Sequence, residues 1–394
     1  MDDAARATRR LLLVLGVGAA SSTLASRLLD PLVGEIAADF AADAGMVALL
    51  ATAFSLPYAL VQPVLGPAGD ALGKRRVIRA GCILLAITLA ASAFAPDLPS
   101  LMVLRILAGA AAGGIFPLAI AMVGDQVPLA RRQLALSRLL VAGLTGSASG
   151  GALAALLAPF IGWRGVLLVA AGVALAGWWV LRGRDPGASP GVPLGRRIDV
   201  IDVLRRYRQI LGLARARALY GAVFVEGMLV FGMFPFLAPT LSERGLGGVA
   251  EAGMAVALFA LGGFLFAAVA APLLRHLSQR RVMQAGGALA ALGLLGVGFA
   301  PAAPLLIGAC LPIGFGFYML HTSIQTGVTE VAPAARGSAV ALHAFSFFLG
   351  QALGPVVVAL GRAGLGMGAT LVLAAMGVLL LGLVLAGRRR AQKD

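Results

Sequence analysis

Charge is scarce in this chain. Only 12% of its 394 residues are Asp, Glu, Lys or Arg, where an ordinary soluble domain carries about 25%. That shortage excludes a water-soluble globular protein. The sequence holds just two cysteines, Cys82 and Cys310, and three histidines, His276, His321 and His343. The cysteines fall in separate apolar stretches and no Cys or His stands at ligand spacing from another, so no metal centre is expected. Strict apolar–polar alternation, the sign of a membrane β-barrel, is missing too. Gly73-Lys74 is followed by Arg75 instead of Ser or Thr. A phosphate-binding loop is therefore absent, and with it an ATP-driven pump. The apolar stretches hold no paired nucleophile and base, so neither an enzyme nor a cofactor is expected.

What is present is apolar: 60% of residues are hydrophobic. A bilayer crossing takes about 20 predominantly apolar residues. Twelve such runs are read, at 11–32, 47–67, 78–95, 100–123, 134–158, 163–181, 218–241, 252–271, 282–300, 304–327, 338–360 and 365–387. Lipid leaves no backbone polar group satisfied outside a helix or a closed barrel, so an all-α membrane protein of twelve transmembrane helices is expected. The first run is too long for a signal-peptide core and is read as a retained helix.

The runs are organised by a duplication. Gly66-Pro67-Ala68-Gly69-Asp70-Ala71-Leu72-Gly73-Lys74-Arg75-Arg76-Val77 returns in altered form 205 positions later, as Ala271-Pro272-Leu273-Leu274-Arg275-His276-Leu277-Ser278-Gln279-Arg280-Arg281-Val282. At the same offset Asp125, Pro128 and Arg131 fall on Glu330, Pro333 and Arg336. Two pseudo-symmetric six-helix halves follow, residues 1–181 and 218–394, joined by a linker at 182–217. Such a duplication marks a transporter whose site lies between its repeats.

The formal charge of +15 suggests nucleic acid until its distribution is read. Of 32 Lys and Arg residues, 27 lie in the two termini, the central linker and the alternate loops on one side. Positive loops stay in the cytoplasm, so both termini are expected inside a bacterial inner membrane, and no nucleic-acid partner is expected. Within the linker, Ile198, Ile201, Leu204 and Leu211 share one helical face, with Asp199, Asp202, Arg205, Arg206 and Arg208 opposite. That pattern reads as a short amphipathic helix on the cytoplasmic leaflet. A solvated charged linker is the alternative.

Charges at lipid depth are costly and point to function. Glu226 lies about nine residues into the seventh run, roughly 12–14 Å deep at 1.5 Å per residue, with no basic residue on the neighbouring turns. A carboxyl there can load and release a proton, so Glu226 is the first candidate for proton coupling, with Asp30 the second. A neutral acid bonded to a neighbouring helix is the plainer alternative. Arg27, Asp30 and Arg105 form another group, in the outer third of the membrane, with Arg27 and Asp30 at i, i+3. They read as an anchor for an anionic or polar group, or as a buried structural network. His321 and Gln325, at i, i+4 in the tenth run, line the cavity or make an interhelical hydrogen bond, and the same choice stands for His343.

Gly66-x3-Asp70-x2-Gly73-Lys74-Arg75 resembles the signature loop between the second and third helices of the major facilitator superfamily. Arg105-x3-Gly109-x3-Gly113 resembles that family's fourth-helix motif, and Ala142-x3-Gly146-Ser147-x2-Gly150-Gly151 the fifth-helix motif of its proton-driven antiporters. Gly350-Gln351-Ala352-Leu353-Gly354-Pro355 is the second-half counterpart. The likeness spans the chain and is nearest the twelve-helix drug:proton antiporters and sugar efflux permeases. It implies export of a small organic compound, anionic or amphipathic, in exchange for protons, by a monomer in the lipid bilayer. Helices 1, 4, 7 and 10 would line its cavity, bringing in Arg27, Asp30, Arg105, Glu226, His321 and Gln325.

Gly66, Asp70, Gly73, Lys74, Arg75, Asp125, Arg131, Glu330 and Arg336 would then form the conformational switch. An Asp70 anion would cap the positive N-terminal end of the eleventh helix near Arg336-Gly337. Gly109, Gly113, Gly146, Gly150, Gly151, Gly350 and Gly354 would let helix backbones approach and slide. The alternative makes all of these ordinary topology and packing devices. A proton-coupled importer, an uncoupled facilitator and a lipid transporter on the same fold remain open alternatives.

Overall fold

The computed structural model describes residues 3–127, 129–182, 200–332 and 336–388. Every regular element among the described residues is helical. The first apolar run becomes α1 (Asp3–Arg27), a 3-10 turn (Asp30–Leu32) and α2 (Val33–Asp39). It is longer than expected, and it breaks where Pro31 withholds a backbone N–H. Then come α3 (Ala44–Leu72), α4 (Lys74–Ser92), α5 (Leu98–Ala112), α6 (Ile115–Gln126) and α7 (Leu129–Val180). The amphipathic linker segment is α8 (Val200–Gly212). Ile201, Leu204 and Leu211 are exposed along it, while Ile210 is buried. The seventh run repeats the form of the first: α9 (Ala214–Phe231), a 3-10 turn around Pro235 (Phe234–Phe236) and α10 (Leu237–Glu243). The chain continues through α11 (Val249–His276), α12 (Gln279–Phe299), α13 (Ala303–Val331) and α14 (Arg336–Arg388).

Nine helical stretches among the described residues are long and apolar enough to cross a membrane. Two helices are too long for one crossing. α7 has 52 residues and α14 has 53, roughly 80 Å each at 1.5 Å per residue, against a hydrocarbon core of about 30 Å. Each breaks at a glycine with left-handed φ, Gly162 (φ 65°, ψ 170°) and Gly366 (φ 79°, ψ 162°). α4 is a further apolar helix of 19 residues whose first turns carry Lys74, Arg75, Arg76 and Arg79.

The chain divides into two compact units, residues 1–29 with 53–203 and residues 30–52 with 204–394. In unit 1, α1 lies along α7, and α4 packs on α5, α6 and α7. In unit 2, α9 lies along α14, α11 along α13, and α12 against both α13 and α14.

Glycines set the closest helix approaches. A Cβ on Gly109 would strike the carbonyl of Phe54, and one on Gly314 would strike the carbonyl of Phe259. Those two contacts are 205 residues apart at both partners. A Cβ on Gly81 would come within 2.7 Å of the Ala111 carbonyl, and one on Gly286 within 2.8 Å of the Gly316 carbonyl, again at that offset. Gly146 and Gly150 hold α7 against the carbonyls of Ala20 and Leu24, and Gly350 and Gly354 hold α14 against those of Phe224 and Met228. Gly113 presses on the backbone of Tyr58, and Gly151 is buried.

Candidate functional site

The interior of unit 2 is built around an acid. Glu226 of α9 is fully buried. Its Oε2 lies 2.8 Å from Nδ1 of His321 on α13, while its Oε1 has no hydrogen-bond partner. The His321 ring stacks on Phe317 (centroids 5.0 Å, planes at 29°) and lies 4.7 Å from the Phe347 ring. His343 of α14, 3% exposed, sits 5.2 Å from His321 ring to ring, and its Nε2 also lacks a partner.

Local sequence explains the arrangement. Phe317 and His321 are at i, i+4 on α13, and His343 and Phe347 at i, i+4 on α14, so each histidine shares a helix face with a phenylalanine. Gly227 and Gly350 bring α9 and α14 into backbone contact, which holds the acid among them. Phe231 and Phe259 complete the aromatic packing, in edge contact with each other and with Phe317 lying 5.0 Å from Phe231. An ionised carboxylate in such surroundings is expensive. With neutral imidazole the Glu226–His321 couple carries one negative charge, and one added proton makes it neutral. Gln325, one turn beyond His321, is half-buried.

The interior of unit 1 is built around a cation. Arg105 of α5 is 1% exposed. Its guanidinium lies over the Phe54 ring, 4.4 Å from the centroid, and its Nη1 donates to the Ala25 carbonyl at 3.2 Å. A cation over a desolvated ring face is held by the ring quadrupole as well as by that hydrogen bond. Arg27 ends α1 and is buried in unit 1; Asp30 opens the following 3-10 turn and is buried in unit 2. Nearby in unit 1, Ser22 of α1 donates to the Ala112 carbonyl at 3.0 Å, and Tyr58 hydrogen-bonds Ser22.

At the polar helix ends, Gly73 takes φ 92° between α3 and α4, a conformation glycine reaches at little cost. Lys74 Nζ lies 2.8 Å from Asp125 Oδ2, and Arg75 Nε donates to the Leu181 carbonyl at 3.1 Å. In unit 2, Arg215 Nη2 lies 3.0 Å from Glu330 Oε2. The side chains of Asp70, Arg131 and Arg336 lie outside the described part of the chain, and Gly66 falls within α3. The expected Asp70 cap on the helix starting at Arg336 therefore has no described geometry. No three His, Cys, Asp or Glu among the described residues are placed to hold a metal ion.

Three features escaped the sequence reading. The phenylalanines around His321 were legible as i, i+4 partners of the two histidines. The contact between Glu226 and His321 joins residues 95 positions apart, and no local pattern announces it. Gln62 of α3, 5% exposed with neither amide atom hydrogen-bonded, sits one turn past Tyr58 in a run that reads simply as apolar.

A family model described as Major Facilitator Superfamily matches residues 15–355. The uncharacterized MFS-type transporter YwfA of Bacillus subtilis is 26% identical over 368 residues, spanning 91% of this chain and 87% of its own. The gallate transporter of Pseudomonas putida is 26% identical over 340 residues, 75% of this chain and 73% of its own. The chloramphenicol resistance protein of Streptomyces lividans is 26% identical over 357 residues, 88% of each. Among solved structures, the human organic anion transporter MFSD10 superposes with a TM-score of 0.69 at 21% identity, over 96% of this chain and 99% of that one. At such identity the likeness is one of fold. The family model spans most of the sequence, and the chain belongs to the Major Facilitator Superfamily as a multi-pass membrane transporter.

Proposed function

We propose that this chain is a proton-coupled secondary transporter that exports a small organic compound by alternating access, with residues 1–181 and 218–394 as its moving halves. The observation that carries the coupling is the Glu226–His321 contact, a fully buried acid 2.8 Å from an imidazole. Taking up one proton neutralises that couple, and releasing it demands water or a cationic partner. A transporter that wets this site in one state only would tie proton release to that state. Export is supported by the relative named for chloramphenicol resistance.

Twelve crossings are supported by the nine apolar stretches, by α4 as a tenth, and by the breaks at Gly162 and Gly366 that cut two long helices in two. Cytoplasmic termini, in a bacterial inner membrane, are supported by the 27 basic residues in the termini, the linker and the alternate loops, since positive loops stay in the cytoplasm. A second reading, proton-coupled uptake of an aromatic acid, is favoured by the buried cation Arg105 and by the relative named a gallate transporter. Its substrate would be drawn by charge to unit 1.

The purified protein in proteoliposomes tests the proposal. Addition of chloramphenicol, or of gallate, on one side evokes proton movement reported by an internal pH dye. Movement opposite to the compound supports export by antiport, and movement with it supports uptake. Compound flux with no proton movement would leave an uncoupled facilitator. Cells expressing an exporter hold less of the compound than control cells, and cells expressing an importer hold more.

A further inference from the structure

Gln62 is a buried amide that the helix packing does not require. It is 5% exposed, yet neither Nε2 nor Oε1 has a hydrogen-bond partner. Buried polar groups are nearly always paired, and leaving both ends of an amide unpaired costs folding free energy. Unit 1 carries that cost on the same helix as the ring that holds Arg105.

Phe54, Tyr58 and Gln62 follow one another at i, i+4 and i+8 on α3, and so share one side of that helix. The first lies under the Arg105 guanidinium and the second bonds Ser22 of α1. α3 is pinned by backbone contact, since Gly109 meets Phe54 and Gly113 meets Tyr58. The amide therefore stands one turn beyond Tyr58 on a helix held in backbone contact with α5.

The duplicated unit supplies an internal control. It makes the same approach with Gly314 on Phe259, but at the position matching Gln62 it has Ala267, and at the position matching Arg105 it has Cys310. The approach of the two helices is thus made without an amide or a guanidinium. Neither is needed for that approach, which unit 2 makes with Ala267 and Cys310 in their places.

We infer that Gln62 is a binding residue for the transported compound, pairing with a group that offers a donor and an acceptor side by side, as a carboxamide does. A glutamine side chain presents both an N–H and a carbonyl oxygen, so it meets such a group with two parallel hydrogen bonds. The inference rests on the transport reading above and names a substrate chemistry for it.

The test uses the full chain in detergent and two matched probes, benzamide and methyl benzoate, the second lacking the N–H donor. The wild type binds benzamide about tenfold tighter, the equivalent of one hydrogen bond of about 1.4 kcal/mol. Gln62→Leu, close in volume and without polar atoms, binds the two probes equally. Without any ligand, Gln62→Leu unfolds at the wild-type temperature or above it, because it removes an unpaired buried amide. A lower unfolding temperature for the Leu variant would overturn the inference, since it would mean that Gln62 makes structural hydrogen bonds. So would a wild type that shows no preference or no binding, or a Leu variant that keeps the preference. Proton flux separates this inference from the one it rests on. Loss of preference in the wild type with probe-evoked flux intact removes Gln62 alone. Preference without any flux removes the transport proposal and leaves Gln62 as a ligand-binding residue.

Discussion

Along α3 and α5 a glycine at 109 meets the carbonyl of Phe54, and along α11 and α13 a glycine at 314 meets that of Phe259. Four residues before each glycine the two units part. Unit 1 has Arg105, buried over the Phe54 ring; unit 2 has Cys310, fully buried and apolar in its setting. Unit 2 takes its charge from another helix, through Glu226 on α9, and surrounds it with His321, His343 and phenylalanine rings. The same backbone contact thus stands beside a buried cation in one unit and beside a neutral thiol in the other, whose charged group sits on a different helix. Backbone contacts at glycine tolerate no side chain, so they persist through divergence. Side chains beside them are free to diverge, and in these units they have diverged from a cation to a neutral thiol.

The largest effect is expected at the acid. Glu226→Gln fixes the neutral form, so transport driven by an imposed pH gradient falls to background in proteoliposomes. Exchange of substrate down its own gradient continues, and its dependence on pH is lost. Uphill transport with an unchanged pH profile would place coupling elsewhere, with Asp30 next, and would reduce unit 2's acid to a structural hydrogen bond.

The cation comes second. Arg105→Ala is expected to bring substrate binding below detection while the protein still elutes as a monodisperse peak. Aggregation would instead mark Arg105 as part of a structural network, since stripping one member of a buried polar set strands the others. Binding retained at wild-type strength would remove Arg105 from the site.

The shared contact is the third target. Gly109→Ala and Gly314→Ala each force a methyl group against a carbonyl, which overpacking experience puts at about 1–3 kcal/mol. The two variants should lose similar amounts of thermal stability. A loss confined to one of them would mean that the repeated contact matters in only one unit.

The smallest effect lies at a helix start. Asp97 accepts a hydrogen bond from the Ser100 backbone N–H at 2.8 Å, capping α5, and this bonding holds its carboxyl below the usual value of 3.8. A depressed folded value means that the cap stabilises above the unfolded value and is lost as pH falls through the folded one. Asp97→Ala should therefore unfold slightly earlier than the wild type at neutral pH, and the two should converge below about pH 4. A constant difference down to pH 2 would separate the effect from Asp97 ionisation.

How much of this was legible follows from what each feature depends on. The all-helical fold depends on composition, which was readable, and the repeat between residues 66–77 and 271–282 was readable as a sequence pattern. Glu226 stood out because a lone carboxylate in an apolar run is conspicuous in one dimension. Its partner did not, because which residue of α13 faces α9 is set by the rotation of two helices 95 positions apart in sequence. The break in the first run was foreshadowed by Pro31, yet α2 beyond it was missed, because seven residues ending in Ala-Ala-Asp look like loop. Gln62 was invisible for another reason: whether a buried amide is paired is a fact about its neighbours.

One pair of positions has a consequence for how this gene can change. In unit 1, Gly113 meets the backbone of Tyr58; in unit 2, at the matching positions, Gly263 meets the ring of Tyr318. The bulky residue has changed helices between the copies. Recombination that swapped α3 for α11 would set tyrosine against tyrosine in one product and glycine against glycine in the other. One interior would be overfilled and the other hollow, and packed cores tolerate neither. Matched in sequence at this offset, the two units are not interchangeable at these helices, and a change to one helix calls for a change to its neighbour.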